Sequence, residues 1–186
     1  VVYIETPSNP LLKITDVRAV AALAKDKGLV SMIDNTFASP VNQTPIDLGI
    51  DIVLHSATKY LGGHSDILAG AVAASEAHIM QIHSLAKNFG GSLSDFTVWM
   101  LERSIKTLGL RVKQQNANAQ AMAEFLSNHA HVQKVYYPGL SQHPDHDLAK
   151  AQMHGFGGML SFELDDAIAS KTFQDKSASA RGYLLD

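Results

Sequence analysis

Asp51-Ile-Val-Leu-His-Ser-Ala-Thr-Lys59-Tyr-Leu-Gly-Gly63 reads as a short buried strand that runs into a polar turn. Asp51–Leu54 is the apolar run, His55–Lys59 the polar stretch, and Gly62-Gly63 the stop. The pattern repeats outward from it. Val1–Ile4 is an apolar run followed by the turn chemistry of Thr6-Pro7-Ser8-Asn9-Pro10. Leu29–Ile33 is another, ended by Asp34-Asn35, and Ala69–Ala74 reads as a fourth strand. Between the first two runs, Val17, Val20, Ala21 and Ala24 recur at helical spacing, with Thr15 as the expected N-cap and Gly28 just past the end. Pro45–Gly49 has room for one helical turn. Strands alternating with helical or loop connections predict an α/β fold, a mostly parallel sheet with flanking helices.

Further along, residues 95–128 have helical composition with no proline. They predict a helix pair, or one helix bent near Leu108-Gly109, with Trp99 and Met100 in the core or at an interface. Val132–Tyr136 reads as a strand, Pro138-Gly139 as a turn, Asp145–Met153 as a helix and Met159–Leu164 as another strand. This second β–α–β set predicts a new domain after the long helix.

Composition narrows the partners. The chain has 186 residues, 46% hydrophobic and 18% charged, enough apolar material for a core. That is one domain, or one domain and part of another. Fifteen basic and 18 acidic residues give a net charge of −3, with no basic stripe, so a nucleic-acid partner is not expected. No apolar run approaches the roughly 18 residues of a membrane span. With no cysteine there are no disulfides and no thiolate sites, which fits a reducing cytoplasm. A strand pattern that begins at Val1 without a lead-in suggests that an N-terminal portion is missing.

In open α/β sheets, ligands bind beyond the carboxyl ends of the strands. Three polar segments lie there: Glu5–Pro10, Asp34-Asn35-Thr36 and Ser56–Lys59. Lys59 is an amine able to take an aldehyde as an imine. Asp34 is a carboxylate able to keep a pyridine nitrogen protonated, and Ser56 and Thr58 are hydroxyls suited to a phosphate. Those are the three requirements of pyridoxal 5'-phosphate. A plainer account uses the same residues: Lys59 as a solvated charge, Asp34 as a turn residue, Ser56 and Thr58 as caps.

The run from Asp51 through Lys59 to Gly63-His-Ser-Asp66 closely resembles the cofactor-lysine signature of the Cys/Met-metabolism family of pyridoxal-phosphate enzymes. Glu5-Thr-Pro-Ser-Asn-Pro10, Ile33-Asp-Asn-Thr-Phe37 with Ser39-Pro40, and Gly155-Phe-Gly-Gly-Met-Leu-Ser-Phe162 agree, so the resemblance extends to about residue 175. It implies a fold type I, PLP-dependent transferase-like large domain and the start of a smaller α/β C-terminal domain. Residues 1–115 would be part of the cofactor-binding domain, and 116–186 the connecting helix and the start of the second. Lys59 would be the catalytic lysine that binds the cofactor, Asp34 the carboxylate at the pyridine nitrogen, and Ser56 and Thr58 the phosphate-binding hydroxyls. Asn9 and Glu5 would line the substrate side. The family implies a homotetramer of two tight dimers, an amino-acid substrate and no metal.

Gly63-His-Ser-Asp66 followed by Ala69-Gly70 is closer to the cystathionine-type enzymes and methionine gamma-lyase than to the homoserine sulfhydrylases. The expected reaction is γ-elimination or γ-replacement on a cystathionine-type substrate, as in cystathionine gamma-synthase and gamma-lyase. Beta-lyase and methionine gamma-lyase are the alternatives. The competing classes are an inactive truncated fragment and a nucleotide-binding α/β domain, the latter disfavoured by the missing glycine-rich loop. Ser177–Asp186 departs from the family pattern. His143-Pro-Asp-His146-Asp147 has a His-x-x-His spacing but reads as a solvated loop, and His64 as a packing or hydrogen-bonding residue.

Overall fold

The computed structural model describes residues 1–165; Ser177–Asp186 lies outside the described residues. Four strands form one sheet in the order β1 (Val2–Glu5), β2 (Ser31–Asp34), β3 (Ile52–Ser56), β4 (Gly70–Ala74). The first three are parallel, and β4 returns antiparallel to β3 across the loop that carries Lys59. Helix α1 (Val17–Asp26) crosses from β1 to β2. Its Val17, Ala21 and Ala24 are buried, and Val17 and Ala21 pack with Ile33, Ile50 and Val53 into a core on one face of the sheet. The helix is capped by Asp16, whose carboxylate accepts from the Ala19 N–H at 2.9 Å, and not by Thr15. Thr15 is engaged elsewhere, its N–H donating to Thr6 Oγ1 at 3.1 Å.

Short helix α2 (Ser39–Asn42) and a 3-10 turn over Pro45–Leu48 connect β2 to β3. After β4 comes α3 (Glu76–Phe89), capped by Ser75 and closed by Gly90 at φ +81°. It buries no residue completely; Ile79, Ile82 and Ala86, which recur at helical spacing, are half-buried. The long helical region is two helices, α4 (Asp95–Ile105) and α5 (Leu108–Ser127), which break at Lys106-Thr107. Trp99 is not in the core; it is 57% exposed and stacks on Phe96. Beyond α5, β5 (Val132–Tyr136) and β6 (Ser161–Leu164) pair antiparallel as a separate ribbon, with α6 (His146–Gln152) between them. Ala119 and Ala123 of α5 pack with Tyr137 and Leu140 beneath it.

Two polar devices fix the sheet. At the amino ends of β2 and β3, Asp51 accepts from the Ser31 N–H and hydroxyl, both at 2.8 Å, and its own N–H donates to Ser31 Oγ at 3.0 Å. The Ser31 backbone N–H is the main reason the Asp51 carboxyl lies below its ordinary value, against a smaller opposing effect of partial burial. A depressed folded value means that this stabilisation is complete above the ordinary carboxylate range and is lost as pH falls through the folded value. Asp51→Asn is therefore expected to flatten the acid side of a plot of thermal midpoint against pH. An acid side as steep as in the parent would count against the pair.

At the carboxyl ends, buried Asn35 donates through Nδ2 to Thr6 O at 3.1 Å and to Gln43 Oε1 at 2.7 Å. Gln43 donates to Gln152 O at 3.1 Å, and Gln152 donates to Thr15 O at 2.9 Å and accepts from the Val17 N–H at 3.2 Å. An amide relay thus joins the strand ends to α1 and α6. Asn35→Ala should cost about 1–3 kcal/mol for each buried acceptor it leaves without a donor. The loss should appear as a lower urea midpoint at unchanged slope. A midpoint matching the parent would show that the relay does not hold the strand ends.

Candidate active site

Glu5, Asp34 and Ser56 are the last residues of β1, β2 and β3. Parallel pairing sets Glu5 beside Asp34 and Asp34 beside Leu54. Ile4, Ile33 and Val53 face the α1 core, so strand alternation turns Glu5, Asp34 and Ser56 to the opposite face. The sheet thereby gathers two carboxylates and a hydroxyl that are far apart in sequence. Tyr3 shares that face; burial first, then the charges of Asp34 and Glu5, push its phenol above the ordinary value.

Asp34 has a local role as well. Its Oδ1 accepts from the Thr36 N–H at 2.9 Å, the turn bond expected of an aspartate at a strand end. Thr36 then accepts from the Ser56 N–H at 2.8 Å through its hydroxyl, and the Asn35 N–H donates to Leu54 O at 2.9 Å. Thr36 is buried and stitches the ends of β2 and β3 together, a role that residue type alone did not indicate. Behind these strand ends His55 is buried, and burial pushes its imidazole below the ordinary value against the opposing pull of Asp34.

Lys59 leads a helical turn just after β3. Its N–H donates to Ser56 O at 3.1 Å, and its carbonyl accepts from the Gly63 N–H at 2.6 Å. Ala57, Tyr60, Leu61 and Gly62 are buried while Lys59 is exposed, so an exposed amine stands on a buried base. It makes no ion pair among the described residues. Thr58 behaves differently from Ser56. Its hydroxyl accepts from the Ala69 N–H at 3.0 Å and lies 3.4 Å from Ala69 O, closing the base of the Lys59 loop. The Ser56 hydroxyl has no such bond among the described residues.

Glu5 and Asn9 are brought together, the Asn9 N–H donating to Glu5 Oε1 at 3.3 Å, both exposed. Asn9 also lines a cleft with Phe37, Ser161 and Phe162, which brings the 155–162 segment against the first polar turn. His64 bonds Gly62 O through Nδ1 at 2.7 Å, in keeping with a hydrogen-bonding role. The His143–Asp147 segment is not a solvated loop. His143 is 6% exposed and accepts from the Asp145 N–H at 3.1 Å, and His146 Nδ1 lies 2.8 Å from Pro138 O. The described residues contain no group of three metal-ligating side chains. None of their helices is long and apolar enough to cross a membrane.

An exposed amine, a carboxylate and hydroxyls at adjacent strand ends suit a molecule with an aldehyde, a basic ring nitrogen and a phosphate. The residues present fit pyridoxal phosphate on the chemistry of this donor set. Residues 1–180 match the model of the family described as Cys/Met metabolism PLP-dependent enzyme. A cystathionine beta-lyase of Lactococcus lactis is 53% identical over 173 residues, 92% of this chain and 46% of that protein. The solved cystathionine gamma-lyase of Lactobacillus plantarum, complexed with L-serine, superposes with a TM-score of 0.87 at 50% identity. That match covers 89% of this chain and 44% of the other. The cystathionine gamma synthase of Xanthomonas oryzae, in complex with aminoacrylate and cysteine, gives 0.88 at 46% identity, over 99% of this chain and 47% of the other. The chain thus spans less than half the length of each of these three relatives. Its sheet order, its flanking helices and its match to the family model agree: the chain belongs to the Cys/Met-metabolism family of PLP-dependent enzymes.

Proposed function

We propose that the complete protein is a PLP-dependent enzyme of sulfur amino-acid metabolism that acts on cystathionine-type substrates by γ-elimination or γ-replacement. The observation that carries this reading is the convergence of Lys59, Asp34 and Ser56 at one end of the parallel strands in a chain of this family. When bound, pyridoxal phosphate supplies an aldehyde for an amine and a ring that accepts the electrons of a broken Cα–H bond. Lys59 Nζ would hold the aldehyde and would carry protons at the substrate carbons. The Asp34 carboxylate, whose Oδ1 accepts from the Thr36 N–H, would keep a proton on the ring nitrogen. Ser56 and Thr58 bind the phosphate, and Glu5 and Asn9 border the substrate.

In this reading residues 1–115 belong to the cofactor-binding domain, and 116–186 carry the connecting helix into a second. The protein is a homotetramer of two tight dimers, in keeping with exposed apolar side chains such as Phe89, Phe96 and Trp99. Its place is the cytoplasm, in keeping with the absence of cysteine.

A β-elimination reading is favoured by the beta-lyase name of the Lactococcus relative. Incubating the complete protein with cystathionine separates the two. γ-Elimination yields cysteine, 2-oxobutyrate and ammonia, whereas β-elimination yields homocysteine, pyruvate and ammonia. Formation of cystathionine from cysteine and an activated homoserine marks γ-replacement. Absence of all three reactions in the cofactor-loaded protein would overturn the proposal.

A further inference from the structure

In the turn that carries Lys59 the Gly62 N–H closes on Ala57 O at 2.8 Å and the Gly63 N–H on Lys59 O, and the carbonyls that follow are those of Tyr60 and Leu61. Both are reached by one side chain from far along the chain. Arg111, in the first turn of α5, donates through Nη1 to Tyr60 O at 2.7 Å and through Nη2 to Leu61 O at 3.4 Å. The same guanidinium donates to Ser104 O at 3.0 Å and through Nε to Thr107 Oγ1 at 3.0 Å. It therefore joins the α4–α5 elbow to the two residues that follow Lys59.

Three further observations show that this contact is built. Gly63 has φ +70°, and a Cβ there would overlap the guanidinium, so the close approach needs glycine. Tyr60 and Leu61 are buried against Leu108 and Val112, which lie on the same helix as Arg111. The Tyr60 hydroxyl accepts from the Gly158 N–H at 2.9 Å, clamping the residue at its far end. No carboxylate pairs with Arg111 among the described residues, so its charge is spent on carbonyl and hydroxyl oxygens. Its partial burial pushes the guanidinium below its ordinary value.

We propose that Arg111 is a positioning residue for Lys59, fixing through Tyr60 and Leu61 the base from which the lysine amine reaches the cofactor aldehyde. This rests on the function proposed above. A fork of this geometry cannot be replaced by the point charge of lysine, which would reach only part of the acceptor set.

The test uses the complete protein and three variants, Arg111→Lys, Arg111→Ala and Gly63→Ala. The readouts are the rate at which Lys59 captures pyridoxal 5'-phosphate, trapped by borohydride, and the affinity for pyridoxine 5'-phosphate, which lacks the aldehyde. Thermal midpoint and the separate effects on kcat and KM are followed alongside. In all three variants capture and kcat should fall about 100-fold, the scale of a misplaced reacting group. KM and analogue affinity should stay near the parent values. Added guanidinium should restore capture in Arg111→Ala. If Arg111→Ala does not fold, Arg111→Lys, which keeps the charge and the helix, is decisive. Capture at the parent rate in Arg111→Lys overturns the proposal, as does a parallel loss of capture, analogue affinity and thermal midpoint. A parent protein that captures no aldehyde at Lys59 overturns the underlying function and with it this role.

Discussion

Lys59→Ala and Lys59→Arg are expected to abolish turnover in the complete protein while leaving it folded. Loss of a positioned proton carrier alone removes about 100- to 10,000-fold in rate, and loss of the amine that holds the aldehyde adds to that. Arginine does not rescue, because its guanidinium stays protonated and is not a nucleophile. The fold should survive because the side chain is exposed and makes no ion pair among the described residues. The bonds that shape the turn are made by the Lys59 backbone, to Ser56 O and from the Gly63 N–H. A thermal midpoint near the parent's and a stability change within about 0.5 kcal/mol are therefore predicted. Cystathionine turnover by either variant at more than a trace would remove Lys59 from the mechanism.

Asp34→Asn should lower kcat by about 100- to 1,000-fold, the usual scale when one preorganised electrostatic partner is removed. The substitution isolates charge from shape. An asparagine keeps an Oδ1 that accepts from the Thr36 N–H, so the turn at the end of β2 remains. The register of Glu5 against Asp34, and the Thr36 bond to the Ser56 N–H, do not involve the lost charge. What changes is the ability to keep a proton on a pyridine nitrogen. Asp34→Ala removes both functions and should also lower stability. Comparing kcat and thermal midpoint across the two variants separates them. Parent-like kcat in Asp34→Asn would mean that the carboxylate is only a turn residue.

Much of this was legible in the chain. The apolar runs at Val1–Ile4, Leu29–Ile33 and Asp51–Leu54 all became parallel strands, because strands of a parallel sheet are written locally as continuous apolar stretches. Their polar ends converged for the same reason: parallel strands in register finish together. Contacts across long separations were not legible. Arg111 meets Tyr60 51 positions away, and Gln152 meets Thr15 137 positions away; neither residue stands out by type or spacing. Helix α3 stands outside the sequence reading, although Ile79, Ile82 and Ala86 recur at helical spacing and Ser75, Glu76 and Gly90 mark its ends. Thr15 and Asp16 are both plausible caps by type, and only the 2.9 Å bond to Ala19 chooses between them. Thr58 matched a phosphate-binding pattern, yet its hydroxyl also fastens the loop to Ala69, a local role that spacing does not reveal. His143 read as solvated because Pro144 and Asp145 suggest a surface loop, but Asp145 turns inward and bonds the Ile14 N–H at 3.0 Å.

Chemical trapping decides whether Lys59 is the residue that carries the cofactor. The complete protein is loaded with pyridoxal 5'-phosphate, reduced with borohydride, digested and mapped by mass spectrometry. One pyridoxyl group per chain is expected, on the peptide containing Lys59, and none in Lys59→Ala. A stoichiometric label on any other lysine, or equal labelling of the Lys59→Ala variant, would contradict it.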